Sequence, residues 1–231
     1  MTMYSNISTT AALIGDATRT GILMALADGK ALTAGELAHI ASVSPQTASS
    51  HLNKLMEGGL IKVEVQGRHR YFKLSGPEVA RAIEAIAIAS PPLKVRSLRQ
   101  SSEKKALEYA RTCYGHLAGK LGVATTDALI ACGYFRDIGD VYQLTDRGQE
   151  WLIDFGVQPF LPKKIDFNAI PQHLDWTERR HHIGGPLALA ITRRLHDLGW
   201  IEDGPIRRSI KLTRVGRACM QDEFGIDTDQ L

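Results

Sequence analysis

The sequence predicts an α+β fold that is mainly α-helical and carries small β-hairpins. Between residues 33 and 74, two short helical patterns meet at a sharp break and precede an alternating apolar pattern typical of paired strands. The length of 231 residues exceeds what one such module needs, which favours two domains. We therefore expect a winged helix-turn-helix domain over residues 1–90, a basic linker over 91–105 and a C-terminal winged-helix-like α/β effector domain over 106–231. The C-terminal domain should contain repeated winged-hairpin units, because a helix end, a short hairpin and a Leu-Thr-x-x-Gly motif recur in the same order, with the motif at 144–148 and 212–216.

Two helix starts define the predicted helix-turn-helix. Thr33 and Glu36, three positions apart, form a capping-box pair, so a helix should begin there. Ser44 precedes Pro45, and this pair predicts a second start because serine caps helix N-termini and proline fits the first helical position. On the second helix, the apolar residues that should face inward are Ala48, Leu52 and Leu55.

The opposite face of that second helix is polar and predicts contact with DNA. Its hydroxyl and amide side chains suit base edges and phosphates. Gln46, Thr47, Ser50 and His51 are candidate base readers, and Lys54 is a candidate phosphate contact. Together with residues beside the helix starts, the candidate DNA-binding set on the helices is Thr33, Ser44, Gln46, Thr47, Ser49, Ser50, His51 and Lys54.

A β-hairpin is predicted after the glycine pair at 58–59, which should end the second helix. Its tip carries Arg68, His69 and Arg70. We expect the two arginines to contact phosphates and His69 to enter the minor groove. The alternating strand residues around the Gln66-Gly67 turn are Ile61, Val63, Val65, Tyr71, Phe72 and Leu74.

Residues 7–90 resemble the ArsR/SmtB family of bacterial winged-helix repressors. The family's recognition-helix pattern matches Ser44, Ser49, His51, Leu52 and Leu55, and its wing pattern matches the segments 59–61 and 68–74. The segment 15–29 matches the family's first long helix. The resemblance implies a homodimer that reads the two halves of a pseudo-palindromic operator, with the first helix and the helix after the wing at the dimer interface.

The helix expected after the wing, residues 77–89, carries an apolar stripe. A stripe of this kind suits either the core of one chain or a dimer interface, and the resemblance favours the interface. The stripe consists of Val79, Ile83, Ile86 and Ala87.

Composition fits a cytoplasmic regulator. Charged residues make up 23% and hydrophobic residues 44% of the chain, no apolar run is long enough for a bilayer, and no signal peptide is recognisable. The three cysteines, Cys113, Cys132 and Cys219, favour no disulfide framework. The net charge is only +3, but residues 91–112 hold six Lys or Arg against two Glu, which indicates either extra phosphate contact or a solvated helix start.

The metal-binding positions of the resembled family are not matched. Residues 36–39 read Glu-Leu-Ala-His where thiolate sensors carry Cys-x-Cys, and residues 77–90 lack the Asp-x-His of zinc sensors. We therefore expect no metal at those positions and no cofactor.

The C-terminal half holds two motifs that resemble a longer branch of the family, at 111–116 and 175–185. Cys113 and His116 are three residues apart and would share one face of a helix. His173 stands where that branch often has a cysteine, which weakens a disulfide between the motifs. The candidate effector-binding residues are Cys113, His116, His173, Asp175, Trp176, Arg179, Arg180 and His181.

Several interpretations of these two motifs remain open. Cys113 could be a redox thiol, or it could join His116, His173 and His181 in a metal site. Trp176 and its neighbours could line a pocket for a small organic effector. A purely structural role is the fourth alternative, with Cys113 buried, His116 hydrogen-bonded and Glu178 paired with Arg179 or Arg180.

Two further function classes compete with a regulator. A Cys-His enzyme would use Cys113, His116 and Asp175, but the sequence shows no strained nucleophile elbow, and the Gly184-Gly185 pair alone is weak support for a phosphate loop. A purely architectural winged helix would need no effector pocket. We expect a dimeric repressor of transcription, not an enzyme, released by an effector sensed in the C-terminal domain.

Overall fold

The computed structural model describes residues 4–91 and 97–231. The chain forms two compact units, unit 1 up to Ile86 and unit 2 from Ala87 onward. It is a mixture of helices and small antiparallel sheets, as the sequence predicts.

Unit 1 is a winged helix-turn-helix. Its three-stranded antiparallel sheet has the order β1-β3-β2. The elements are α1 (Ser5–Ile14), α2 (Ala17–Leu26), β1 (Leu32–Thr33), α3 (Ala34–Ile40), α4 (Pro45–Glu57), β2 (Ile61–Gln66), β3 (His69–Leu74) and α5 (Pro77–Ala89), the last of which continues past Ile86.

Local sequence signals fix the helix ends of unit 1. Thr33 and Glu36 form the predicted capping box at α3, and the Ser44 side chain accepts a hydrogen bond from the Thr47 backbone N–H at α4. Gly59 has a φ of +70°, the left-handed conformation that glycine adopts without strain after a helix. The segment predicted as the first helix forms α2, which begins after its cap Asp16, and α1 is a separate helix before it.

Unit 2 consists of helices that alternate with β-hairpins. A four-stranded antiparallel sheet has the order β6-β7-β8-β9, and β4-β5 and β10-β11 are separate two-stranded sheets. A single 3₁₀ turn covers Gln158–Phe160. The other elements are α6 (Leu98–Tyr109), β4 (Arg111–Cys113), β5 (His116–Ala118), α7 (Gly119–Ala131), β6 (Phe135–Asp137), β7 (Val141–Leu144), α8 (Asp146–Asp154), β8 (Ile170–Leu174), β9 (His181–Ile183), α9 (Gly185–Asp197), β10 (Ile201–Asp203), β11 (Ile210–Leu212) and α10 (Arg214–Phe224).

The predicted repeat in unit 2 has a structural basis at the start of its later helices. Thr145 caps α8, and its hydroxyl donates to the Gly133 carbonyl at 2.7 Å. Thr213 caps α10 and donates to the Gly199 carbonyl at the same distance. Each threonine therefore joins the start of one helix to the glycine that ends the previous helix.

Glycine is required three residues after each of these threonines. A Cβ at Gly148 would overlap the Tyr134 carbonyl oxygen, and a Cβ at Gly216 would overlap the Trp200 carbonyl oxygen. The Leu-Thr-x-x-Gly motif thus lets a helix N-terminus lie directly against the backbone of the preceding turn.

The two halves of unit 2 share an aromatic core. Trp151 of α8 packs on Phe155 with ring centroids 5.0 Å apart, and Phe155 packs on Trp200 at 5.4 Å. Phe224 of α10 contacts the same group, with its ring 5.9 Å from that of Phe155. Side chains from both repeats therefore form one hydrophobic core.

The segment predicted as a basic linker is helical over much of its length. α6 begins at Leu98 behind the cap Ser97, and Arg99 pairs with Glu103 one turn later at 2.8 Å. This arrangement agrees with the alternative of a solvated helix start. Lys94 and Arg96, two of the basic residues in this segment, lie outside the described residues.

Across the described ranges, no helix has both the length and the apolar character needed to cross a membrane.

Replacing Gly148 or Gly216 by alanine should destabilise unit 2 by about 1–3 kcal/mol each, because the added methyl group meets backbone that cannot move aside. Gly35→Ala is the control, since nothing lies within 4 Å of its Cβ position and alanine favours a helix. Urea denaturation of the three variants measures the effect. Equal midpoints for Gly148→Ala and Gly35→Ala would refute the packing argument.

Candidate functional site

Helix α4 presents one buried face and one open face. Ala48, Leu52 and Leu55 are buried. Gln46, Thr47, Ser50 and Lys54, with Asn53 beside them, are exposed on the other side of the helix. The predicted base-reading and phosphate-contacting residues therefore lie together on one accessible surface, with the exception of His51.

His51 points away from this surface. Its side chain is only 17% exposed, and its Nδ1 atom lies 3.5 Å from the Asp16 carboxylate at the start of α2. The Arg19 backbone N–H, rather than His51, makes the hydrogen bond that most lowers the pKa of Asp16. His51 thus lies between α4 and the start of α2, away from the position expected of a base reader.

Three other residues of the predicted DNA-binding set have structural partners. The Thr33 hydroxyl and the Glu36 carboxylate are hydrogen-bonded in the capping box. Ser44 caps α4, and the Ser49 hydroxyl donates to the Pro45 carbonyl at 2.9 Å. These side chains hold the two helices of the turn in place.

The wing places its basic residues at the end of a two-residue turn. Gln66 pairs with His69, and Gly67 has a φ of +59° at the first turn position. Arg68, His69 and Arg70 are all exposed, and the Arg70 guanidinium lies 5.7 Å from the centre of the Phe72 ring. The predicted wing residues are therefore accessible to a nucleic-acid backbone.

In unit 2, Cys113 and His116 face each other across a hairpin, not along a helix. They are the directly paired residues of β4 and β5. Tyr114 and Gly115 between them both have positive φ, as in a type I′ turn. The prediction of a shared helix face was wrong because a spacing of three residues also fits a two-residue hairpin turn.

A second hairpin brings two more imidazoles to the same place. His173 of β8 pairs with His182 of β9, and the Nδ1 atom of His173 lies 3.8 Å from the Cys113 Sγ. The His116 ring centre is 4.9 Å from that of His173 and 5.1 Å from that of His182. We call Cys113, His116, His173 and His182 the thiol–imidazole cluster; all four are buried.

The cluster contains His182 and not the predicted His181. His181 is exposed, because neighbouring residues of a strand point to opposite faces. Burial, together with His182 and His173, holds the pKa of His116 well below its usual value. Burial also lowers the pKa of His182 to about 4, against the opposing effect of the Asp175 carboxylate. Both rings are therefore neutral near pH 7.

Asp175 lies beside the cluster as the centre of a buried ion pair. Its Oδ1 atom is 2.8 Å from Nη2 of Arg111, and the two side chains are 0% and 1% exposed. Its Oδ2 atom accepts from the Gly119 backbone N–H at 2.7 Å. Burial favours the neutral acid, but the charge and hydrogen bond of Arg111 outweigh it, so the pKa of Asp175 falls below its usual range.

The remaining predicted effector residues lie around this ion pair. The Arg111 guanidinium lies 4.6 Å from the centre of the Trp176 ring, so a cation covers the tryptophan that was predicted to line an effector pocket. Arg179 and Arg180 are exposed, and Arg180 pairs with Asp127 at 2.9 Å. The ion pair of Glu178 with Arg179 or Arg180, which a structural role predicted, is not among these contacts. The Glu178 backbone N–H donates to Asp175.

The arrangement also differs from the one expected for an enzyme that uses Cys113, His116 and Asp175. The Nε2 atom of His182 lies 4.0 Å from the Asp175 carboxylate. Asp175 itself pairs with Arg111 and accepts hydrogen bonds from the backbone N–H groups of Thr177 and Glu178. The Gly184-Gly185 pair has a structural role: Gly185 starts α9 with a φ of +72°, as Gly119 starts α7 with +79°.

Sequence reasoning missed the residues that relate the two halves of unit 2. The Thr126 hydroxyl accepts from the Ile183 backbone N–H at 3.1 Å, and the Thr192 hydroxyl accepts from the Leu117 N–H at 2.9 Å. These threonines are 66 residues apart, as are His116 and His182. The 66-residue offset between the two repeats therefore indicates His182, not His181, as the counterpart of His116.

Comparison with known proteins places the chain among regulators of transcription. A helix-turn-helix domain model matches residues 14–64. The chain is 38% identical over 224 residues to the uncharacterized HTH-type transcriptional regulator YdfF of Bacillus subtilis, an alignment that covers 97% of this chain and 99% of YdfF. The chain belongs to the family of HTH-type transcriptional regulators. The predicted resemblance to a winged helix-turn-helix regulator is thereby confirmed.

Solved structures similar to the regulator align with a smaller part of it. The winged helix-turn-helix DNA-binding domain of Mb0332 from Mycobacterium bovis is 23% identical and covers 38% of this chain and 80% of that one, with a TM-score of 0.36. HlyU from Vibrio cholerae is 28% identical, and the alignment covers 37% of this chain and 94% of HlyU, with a TM-score of 0.34.

Asp175→Asn should destabilise unit 2 by about 3–5 kcal/mol, because it leaves the buried Arg111 charge without its counter-ion. Asp127→Asn removes the matching partner of an exposed arginine and should cost less than about 1 kcal/mol. Chemical denaturation of both variants gives the comparison. Similar losses in the two variants would show that the Arg111–Asp175 pair has no special role in stability.

Proposed function

We propose that this regulator is a homodimeric, sequence-specific DNA-binding repressor that acts on DNA in the cytoplasm. The observation that carries the proposal is the exposed polar face of α4, opposite a face fully buried in unit 1. A helix held in this way can enter a major groove while the wing approaches the adjacent backbone.

Within this proposal, the α4 side chains divide by chemistry. Gln46, Thr47 and Ser50 hydrogen-bond base edges, and Gln46 has both the donor and the acceptor that an adenine edge requires. Lys54 contacts a phosphate. His51 acts indirectly, because its ring lies beside the Asp16 carboxylate at the start of α2 and not on the exposed face of α4.

The wing and the helix caps complete the proposed interface. Arg68 and Arg70 contact phosphates, and His69 enters the minor groove. Thr33, Ser44 and Ser49 support the interface by fixing the ends of α3 and α4, whose N-termini favour nearby phosphate groups.

Exposed apolar residues on the outer helices of unit 1 support the proposed dimer. Ile7 of α1 is 66% exposed and Ile86 of α5 is 47% exposed, whereas Val79 and Ile83 of the predicted stripe are buried within the unit. An interface between two copies would remove the exposed isoleucines from water. It would also set two α4 helices at a fixed spacing, as a pseudo-palindromic operator requires.

We further propose that unit 2 senses the effector that releases the repressor. Support comes from its buried polar groups: unit 2 encloses the thiol–imidazole cluster and the Arg111–Asp175 pair. Its helices α7 and α9, which precede hairpins as α4 does, are largely buried and offer no comparable polar face for DNA.

Gln46→Ala should relax base preference at one operator position at a cost of about 1–3 kcal/mol, because it removes a paired hydrogen-bond contact. Gln221→Ala, an exposed glutamine on α10, is the control and should change nothing. Binding to a library of operator variants, built from the promoter of the protein's own gene, measures the profile. Identical profiles for wild type and Gln46→Ala would exclude this base-reading role.

Arg68→Ala should weaken binding to all DNA sequences alike and lower the salt dependence of log K by about one unit, because one phosphate contact is lost. Titrations across a range of salt concentrations test this. An unchanged slope, or a loss confined to certain sequences, would contradict a phosphate contact at the wing.

Ile7→Glu should shift the monomer–dimer equilibrium toward monomer by more than about tenfold, which corresponds to about 1.4 kcal/mol, because the interface would have to bury an unpaired charge. Ile138→Glu, at an exposed position in unit 2, should leave it unchanged. Sedimentation velocity over a concentration series distinguishes the two. A wild-type protein that stays monomeric throughout would overturn the dimer proposal.

A further inference from the structure

The thiol–imidazole cluster is formed by the β4-β5 and β8-β9 hairpins of unit 2, and the proposed DNA interface uses none of its side chains. The Cys113 Sγ atom and one ring nitrogen each of His116 and His182 lie within 4.8 Å of one another. We propose that the cluster binds one zinc-like transition-metal ion, with Cys113, His116 and His182 as ligands and His173 as a candidate fourth. The site lies in unit 2 and does not depend on the DNA-binding proposal.

His116 gives the observation that points to a ligand. Its side chain is buried, and its Nε2 atom has no hydrogen-bond partner among the described residues. A buried polar nitrogen normally has a partner, because leaving it unpaired costs free energy. A metal ion held by the neighbouring thiol and imidazole would supply that partner.

His182 is oriented as a metal ligand would be. Its Nδ1 atom lies 3.0 Å from the Ile183 carbonyl oxygen, and donation to that oxygen leaves the lone pair on Nε2. Nε2 then faces the Asp175 Oδ2 atom at 4.0 Å. The distance is too long for a hydrogen bond, so the Nε2 lone pair of His182 stays available to a metal ion.

The spacing of the candidate ligands is close to that of a tetrahedral site. Zinc–nitrogen and zinc–sulfur bonds of about 2.0–2.3 Å place neighbouring ligand atoms about 3.3–3.6 Å apart. The Cys113 Sγ and the His173 Nδ1 are already 3.8 Å apart. The other ligand atoms would need to approach by about an ångström, within the reach of small side-chain rotations.

The backbone supports this convergence. Cys113 and His116 are paired across one hairpin, and His173 and His182 across the other. Gly184 leaves space for the His173 ring, since a Cβ at Gly184 would lie 2.6 Å from it. Four donors are thus presented by two short hairpins, and each hairpin is joined to the other half of unit 2 through Thr126 or Thr192.

The donor types define the metal class. A thiolate with imidazoles selects zinc, cobalt or copper(I) over magnesium and calcium, which prefer oxygen ligands. On binding, the Cys113 thiol loses its proton to solvent and the sulfur–metal bond forms, with no change of oxidation state. Oxidant sensing fits less well, because Cys113 is only 2% exposed and redox-sensing thiols are accessible.

Cobalt(II) titration of the reduced, chelator-treated full chain tests the site. We expect one cobalt per chain with the absorption of a tetrahedral site, a thiolate-to-cobalt charge-transfer band, and displacement by zinc. Cys113→Ser should abolish the charge-transfer band, and His116→Gln and His182→Gln should each weaken binding at least about tenfold. Cys132→Ser and His181→Gln, a free cysteine and an exposed neighbour, are the matched controls and should bind as wild type does.

Circular dichroism of each variant checks folding, and X-ray absorption at the zinc edge of the wild type gives a readout that needs no variant. One sulfur and two or three imidazole nitrogens around zinc are expected; a shell of oxygen atoms alone would overturn the site. Absence of cobalt uptake by the folded wild type would also overturn the site, as would unchanged cobalt binding in Cys113→Ser.

The metal site and the DNA proposal can fail separately. A chain that binds operator DNA but no cobalt refutes the metal site alone, whereas a chain that binds cobalt without preferring any DNA sequence refutes the DNA proposal alone.

Discussion

The burial of Ala48, Leu52 and Leu55 fixes how α4 is oriented in unit 1. Because α-helical residues at this spacing share one face, placing these three in the core leaves the polar residues on the opposite side exposed. The Ser44 cap and the left-handed Gly59 fix the two ends of the helix. The accessible face is therefore set by packing, and the proposed recognition of DNA by α4 depends on that constraint.

Unit 2 repeats the helix-then-hairpin order of α4, β2 and β3, but its corresponding helices, α7 and α9, have no exposed polar face like that of α4. In all three helix–hairpin units, a glycine in the left-handed conformation ends the helix before the hairpin: Gly59, Gly133 and Gly199. However, α7 accepts a hydrogen bond from β9 through Thr126, and α9 accepts one from β5 through Thr192. Many residues of both helices are buried. The same local signals thus build a module with an exposed polar helix face in unit 1 and an enclosed polar cluster in unit 2.

Local features were predictable from the sequence, and features set by strand register were not. The capping box at Thr33 and the helix start at Ser44 depend on side chains three residues apart, so short-range patterns are sufficient. The face of β9 that holds His182 depends on pairing with His173, and a one-residue change of register would have exchanged it with His181. The Arg111–Asp175 pair joins residues 64 positions apart and has no local signal.

Hydroxyl-radical footprinting of the full chain on the promoter of its own gene tests the central claim most directly. If two α4 helices enter successive major grooves, two protected windows should appear on one face of the duplex, with centres about 10–10.5 base pairs apart or a multiple of that spacing. Protection of one window only, or protection spread evenly regardless of DNA sequence, would contradict recognition by a pair of exposed α4 faces.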